Sequence, residues 1–329
     1  MDKIYSVRAL TAAINLMKPV KTTVLDKVFG RKKRQTSSKF AWDIKSSNER
    51  LLKNIHVAAP AQVTDGINRK TVTCEAPRYA EKRFIADADL VDMRKFGDQV
   101  GTELIKERIA DEQFDIRGDV DRTREFQGVK ALSGQVIDEA GNVIVDYNFP
   151  AAQKPVLAGT ALWTDAAANP VNNLRAWKKY ISQRVTASGF IAFCGSGAMD
   201  ALITNPSALE MLKYSAGKQI AEEGRIAHLA GVEIEEYFGA YKDAAGTIQE
   251  MIPDNVFCLV ALGAQNAAEL YAPIVDSKAP GGVGNGKPGQ VFASKSWTKE
   301  DPAGRWIKGE SRPLPVLFQP ECVIWAQVV

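Results

Sequence analysis

QVGTELIKERIADEQFDIRGDVDRTREFQGVKAL (Gln99–Leu132) is the stretch on which the reading of this chain turns. About half of residues 101–125 are charged, yet Ile105, Ile109, Ile116 and Val120 fall roughly in one stripe. That spacing predicts one long helix. Gly118 predicts a bend in it, because glycine weakens a helix interior. Only a narrow apolar seam is available, so the helix is expected to lie across a sheet rather than inside a bundle.

Strand patterns flank the helix on both sides. Before it, KFAWDIK alternates, with Phe40, Trp42 and Ile44 on one face, and Ile55, Val57 and Ala59 keep the period of two. Asp65-Gly66 is a strong turn signal, and Thr71–Cys74 alternates again. Residues from about 37 to 85 therefore read as a long, mostly two-stranded hairpin. Such a hairpin is marginal alone and needs a surface to lie on. After the helix, GQVIDEAGNVIVDYNFP reads as a second hairpin, with Val143, Val145, Tyr147 and Phe149 on one face of its second strand.

Further out, Ser6–Met17 reads as a short helix, with Val7, Leu10, Ile14 and Met17 at helical spacing and Pro19 ending it. A polar, basic passage containing RKKR (Arg31–Arg34) follows. The second half reads as mixed α/β. Residues 170–185 form an amphipathic helix opened by Pro170, which suits a first turn. Phe190–Cys194 is a buried-type strand, and Asn205-Pro206 separates two short helices. RIAHLA, VEIEEYFGAY and NVFCLVAL are further strands. Pro313, Pro315 and Pro320 mark edge or terminal strands near the end.

The composition, 45% hydrophobic and 25% charged over 329 residues, is that of an ordinary globular protein. A formal net charge of +3 argues against a dedicated nucleic-acid binder. Cys74, Cys194, Cys258 and Cys322 are too dispersed for a zinc ribbon or a redox motif, and read as buried free thiols. MDKIYSVRAL lacks the apolar region of a secretory signal, and no run reaches the length of a membrane span. His56 and His228, the two histidines, sit in strand-like segments and read as structural. The acids of ADADLVD (Ala86–Asp92) read as helix-capping groups rather than metal ligands.

Two segments invite a ligand. APGGVGNGKPGQ (Ala279–Gln290) places Gly281, Gly286 and Lys287 at phosphate-loop spacing, but Pro288 stands where a Ser or Thr hydroxyl would meet the metal. Pro288-Gly289 also prevents the helix start that such a loop requires, so a surface loop is expected. RKKR either tracks a phosphate backbone or forms a solvated turn. No nucleophile elbow, H-E-x-x-H or Rossmann glycine pattern accompanies them.

The order of parts, arm, projecting hairpin, long charged helix, hairpin and compact α/β half, resembles the tailed-bacteriophage major capsid proteins, in particular the lambda-like major head proteins. VLDKVFGRKKRQTSSKFAWDI is similar to the family's arm and the start of its extended loop, and IHVAAP and EAPRYAEKRFIADAD follow in the family's order. MIPDNVFCLVALG is similar to a family stretch with Pro-Asp-Asn before an apolar strand. Trp297, Asp301 and Pro302, with Pro313–Val329, are similar to the family's end. Residues from about 151 to 250 match in pattern only.

This resemblance implies an α+β capsid fold: an N-terminal arm (1–36), an extended loop (37–87), a peripheral domain with a spine helix (88–150 and 290–329) and an axial domain (151–289). It implies a non-enzymatic shell protein of the virion, without cofactor, metal or membrane, assembled in the bacterial cytoplasm as hexamers and pentamers. The implied partners are further copies of the chain, a portal, a decoration protein and packaged DNA held by non-specific charge contacts. The hairpin is reached within about forty residues of Met1, so a separate scaffolding protein is implied. Phe40, Trp42 and Ile44 are the expected inter-subunit contact. Arg31, Lys32, Lys33 and Arg34 are the expected DNA-facing patch. A nucleotide-binding enzyme using residues 281–287, or a nucleic-acid-binding protein built on RKKR, are the alternatives.

Overall fold

The computed structural model describes residues 6–17, 22–45, 69–88, 102–213, 224–243, 245–263, 266–279, 282 and 288–329. Ile55, His56, Val57, Ala59, the Asp65-Gly66 turn, Asp89, Asp92, Gly281 and residues 283–287 lie outside them. The described helices are α1 (Val7–Leu16), α2 (Thr23–Val28), α3 (Thr102–Leu132), α4 (Pro170–Ser182), α5 (Ser196–Thr204) and α6 (Pro206–Leu212). The chain divides into two compact units. One holds Met1–Phe40, Thr73–Gly128 and Ala268–Val316; the other holds Ala41–Val72, Val129–Ala267 and Leu317–Val329.

The core of the first unit is a three-stranded antiparallel sheet crossed by α3. Strand Gly304–Ser311 lies at its centre, paired with Ala293–Lys299 on one side and Tyr79–Ala86 on the other. Ile109, Ile116 and Val120 of α3 bury against Ile85, Phe292 and Ile307, with Leu10 and Ile14 of α1 completing the cluster. Each fully buried aliphatic side chain contributes about 1.5–3 kcal/mol. Close approach of helix and sheet depends on Gly309, where a Cβ would come within 2.4 Å of Ile116 Cγ2. The 31 residues of α3 form one helix through Gly118. At 1.5 Å per residue it is about 46 Å long.

Tyr79–Ala86 departs from the sequence reading, which placed it in the long hairpin. The ribbon proper consists of Lys39–Lys45 and Arg69–Glu75. Pro77 interrupts the chain after it, and the next strand turns to the sheet, where Ile85 is buried. The sequence reading also missed α2. No side chain of its own caps it; instead Glu125 accepts hydrogen bonds from Val24 N (2.7 Å) and Leu25 N (3.1 Å).

In the second unit, the five-stranded sheet runs in the order Val323–Gln327, Val256–Leu262, Gly189–Cys194, Val232–Glu236, His228–Leu229. All its pairs are antiparallel except Gly189–Cys194 with Val232–Glu236, a parallel pair whose connection carries α5 and α6. Phe257 on the central sheet packs edge-on to Trp163 at 4.9 Å, and Trp163 stacks with Trp177 of α4 at 6.0 Å. Asn169 and Asn205 cap α4 and α6, each ahead of a proline in the first turn.

Three further details differ from the sequence reading. Residues 290–329 do not stay together: Pro313–Leu317 joins a sheet with Ala267–Tyr271, whereas Val323–Gln327 pairs with Val256–Val260 in the second unit's sheet. Val143 is 54% exposed although Val145 and Tyr147 are buried, because the ladder shifts register between Val136 and Ile137 at the hairpin's outer end. His228, read as a structural side chain, lies exposed on an edge strand. Cys194, Cys258 and Cys322 are buried free thiols and Cys74 is half-buried. Burial pushes the Cys74 thiol up to about 11 and that of Cys322 to about 12, so neither ionises near neutrality.

Candidate assembly surface and nucleic-acid interface

The ribbon begins where Ala76 N donates to Ser38 O at 2.9 Å. Across it Thr71 Oγ1 donates to Asp43 Oδ1 at 2.7 Å on an exposed face. Alternation puts Phe40, Trp42 and Ile44 on the opposite side from Ala41 and Asp43. Phe40 is 1% and Trp42 6% exposed in the single chain, so neither needs a neighbouring copy to bury it. Ile44 is half-buried. Of the three residues expected at an inter-subunit contact, it is the one with surface left to cover.

RKKR is not a solvated turn. Lys32–Arg34 is a strand, paired in parallel with Glu269, Leu270 and Tyr271. Glu269 N donates to Arg31 O at 2.9 Å, Gln35 N to Tyr271 O at 2.8 Å, and Gly289 N to Gln35 O at 2.9 Å. Strand geometry separates the four cations. Lys32 and Arg34 project from one face; Arg31 and Lys33 project from the other. Arg31, Lys32 and Arg34 are exposed and Lys33 is half-buried. Burial, with the nearby Arg31 charge, lowers the Lys33 ammonium below its usual range.

Behind this strand stands an ionic anchor that the sequence reading did not single out. Arg124 of α3 donates Nε to Glu269 Oε1 and Nη2 to Glu269 Oε2, both at 2.7 Å, and also bonds Asp121. Arg124 and Glu269 expose 7% and 1% of their side chains. In a helix this rich in charge nothing marks Arg124 as the buried cation beforehand, since Arg122 stands three positions from Asp119 at the surface just as Arg124 stands three from buried Asp121. A second anchor joins Arg78 and Lys308 to Glu310.

Among the described residues no group of three or more His, Cys, Asp or Glu could hold a metal ion. No described helix is long and apolar enough to cross a membrane.

A family model described as phage major capsid protein E matches residues 6–328. Comparison with curated proteins gives no match. Among solved structures, the chain is similar to a prophage protein of E. coli CFT073 assigned as its capsid protein. The identity is 17% and the TM-score 0.65, over 97% of this chain and 98% of that one. It is similar to the capsid of cyanophage P-SCSP1u, at 10% identity and TM-score 0.58, over 95% and 90% of the two chains. The mature capsid of bacteriophage PhiM1 gives 11% identity and TM-score 0.58, over 94% and 88%. The shared architecture is the tailed-phage capsid fold, and the family match extends over nearly the whole length. The chain belongs to the phage major capsid protein E family and is a shell-forming capsid protein.

Proposed function

We propose that copies of this chain associate as hexamers and pentamers into a closed icosahedral shell around double-stranded DNA, without catalytic turnover. The observation that carries this reading is the ribbon of Lys39–Lys45 and Arg69–Glu75, which among the described residues is a two-stranded sheet. A two-stranded ribbon is marginal in water. A neighbouring subunit is the surface that would complete it, seated on the residues around Ile44 while Phe40 and Trp42 fix its root. Many modest contacts of this kind, repeated around closed symmetry, stabilise a shell without any one strong pair.

In this reading residues 1–36 act as an arm, the ribbon within residues 37–76 acts as the extended loop, and α3 with its sheet, Tyr79–Ala86 included, forms the peripheral part. The second unit's five-stranded sheet lies in the axial part. A separate scaffolding protein, a portal and a decoration protein are the further partners, and assembly takes place in the host cytoplasm. The basic strand lies on the side of the packaged DNA, with Lys32 and Arg34 toward it.

Negative-stain electron microscopy of the purified full-length protein tests the proposal, alone and co-expressed with its neighbouring gene products. Shells, tubes or hexagonal sheets are expected. Uniform small particles under both conditions would count against it.

A further inference from the structure

We propose that a cavity of about 510 Å³ beside the basic strand is a groove for the phosphodiester backbone of nucleic acid, an inference that rests on the DNA-enclosing role just proposed. Arg8, Asn15, Lys32, Arg34, Arg117 and Gln290 line it. Three separate elements converge there. Strand alternation delivers Lys32 and Arg34 and turns Arg31 and Lys33 away. Arg8, Thr11, Ala12 and Asn15 are one face of α1, at helical spacings of three and four. The opposite face of α1 is the one buried through Leu10 and Ile14. Arg117 comes from α3, about 83 positions along the chain from Arg34, and only folding brings it to the strand.

The charge balance of this cavity is one-sided. Four cationic side chains line it, and among the described residues no carboxylate does. Arg117 is already held: Nη1 donates to Met17 O at 2.6 Å and to Ile14 O, and Nε to Asp121 Oδ2 at 3.4 Å. Asp121 offsets part of its charge, and its guanidinium forms a fixed wall. Asn15 is likewise tied, through Nδ2, to Thr11 O at 2.7 Å and Phe292 O at 3.1 Å. Arg8, Lys32 and Arg34 carry the remaining positive potential. Cations gathered along a concave protein wall focus field lines on an anion more strongly than the same charges spread over a convex surface. Guanidinium forks match phosphate oxygens. Duplex DNA carries one negative charge per about 1.7 Å of axis, so a shell interior presents a dense supply of such groups.

Of the basic run only Lys32 and Arg34 act in this groove, with Arg8 of α1. Full-length subunits are titrated with a mixed-sequence duplex of about 20 base pairs over a range of salt, and the slope of log K against log salt is read. Arg8→Ala, Lys32→Ala and Arg34→Ala are each expected to flatten the slope by about 0.9, the value for one phosphate no longer neutralised. Arg31→Ala and Lys33→Ala are expected to leave it unchanged. An equal effect at all five positions, or none at any, overturns the groove. The same preparations are imaged by electron microscopy. If Lys32→Ala and Arg34→Ala block shell formation while DNA affinity holds, the groove takes an acidic segment of a second copy and the proposal falls. Failure of the unsubstituted protein to assemble both alone and co-expressed with its neighbouring gene products would overturn the shell reading, and the groove with it, whatever the slopes.

Discussion

Arg124 and Glu269 exchange two 2.7 Å hydrogen bonds with almost no solvent contact. Burial works against the guanidinium's charge, and Glu269 outweighs it, so Arg124 stays protonated. Removing one partner strands the other as an unpaired buried charge, at a cost of about 3–5 kcal/mol. Arg124→Ala should lower the urea midpoint accordingly, whereas Arg122→Ala, whose partner is at the surface, should shift it by less than about 1 kcal/mol. Glu310 supplies a pH signature. Burial raises its carboxyl, but hydrogen bonds from Arg78 and Lys308 prevail and hold it at about 2, below the ordinary 4.5. A depressed carboxylate stabilises the fold above its unfolded value and loses that contribution as pH falls. Stability should therefore decline from about pH 5 toward 2, by on the order of 3 kcal/mol for this group. Glu310→Gln should be less stable at neutral pH and show a shallower acid limb in unfolding experiments.

At the scale of elements, α2 depends on a distant residue. Its two N-terminal donors, Val24 N and Leu25 N, meet the carboxylate of Glu125, 101 and 100 positions away. Two orphaned donors in a buried setting cost about 1–3 kcal/mol each. Glu125→Ala should thus destabilise the first unit by at least 2 kcal/mol or so, with loss of amide-exchange protection in residues 24–28 before the rest. The turn from strand Gly189–Cys194 into α5 has a steric requirement instead. A Cβ on Gly195 would sit 2.3 Å from Pro253 O and 2.5 Å from Asp254 Cα. Neither backbone atom can move without shifting the strand that follows, so Gly195→Ala should cost about 1–3 kcal/mol by thermal melting.

For the whole molecule, the predictions concern assembly. Ile44→Asp introduces a charge on the half-buried ribbon face, beyond the buried Phe40 and Trp42. The dispersed subunit should keep its far-ultraviolet circular dichroism, and shells seen by electron microscopy should become scarce. Charge reversal at Arg31, Lys32, Lys33 and Arg34 should impair genome packing more than shell formation, measured as packaged DNA per particle. Deleting residues 283–287, which lie outside the described residues, should leave shell formation seen by electron microscopy unaltered.

Local pattern alone determined the spine helix, α1, α4, the paired helices around Asn205-Pro206 and, in the second unit, the buried strands Gly189–Cys194 and Val256–Leu262. In each, the hydrophobic pattern and the local breakers lie within a dozen neighbours. The same information sufficed for the family, because the order of arm, ribbon, long helix and closing strands is itself a linear property. Tertiary structure decided the rest. Val24 and Leu25 need the Glu125 carboxylate to start a helix. Tyr79–Ala86 left the ribbon because Ile85 had a core to enter. Val323–Gln327 left its sequence neighbours for Val256–Val260. Arg117 reached the basic strand from the middle of α3. These contacts join residues tens to hundreds of positions apart. Coulombic and steric terms between such residues act only once the chain has closed the loop, and no window of sequence contains both partners.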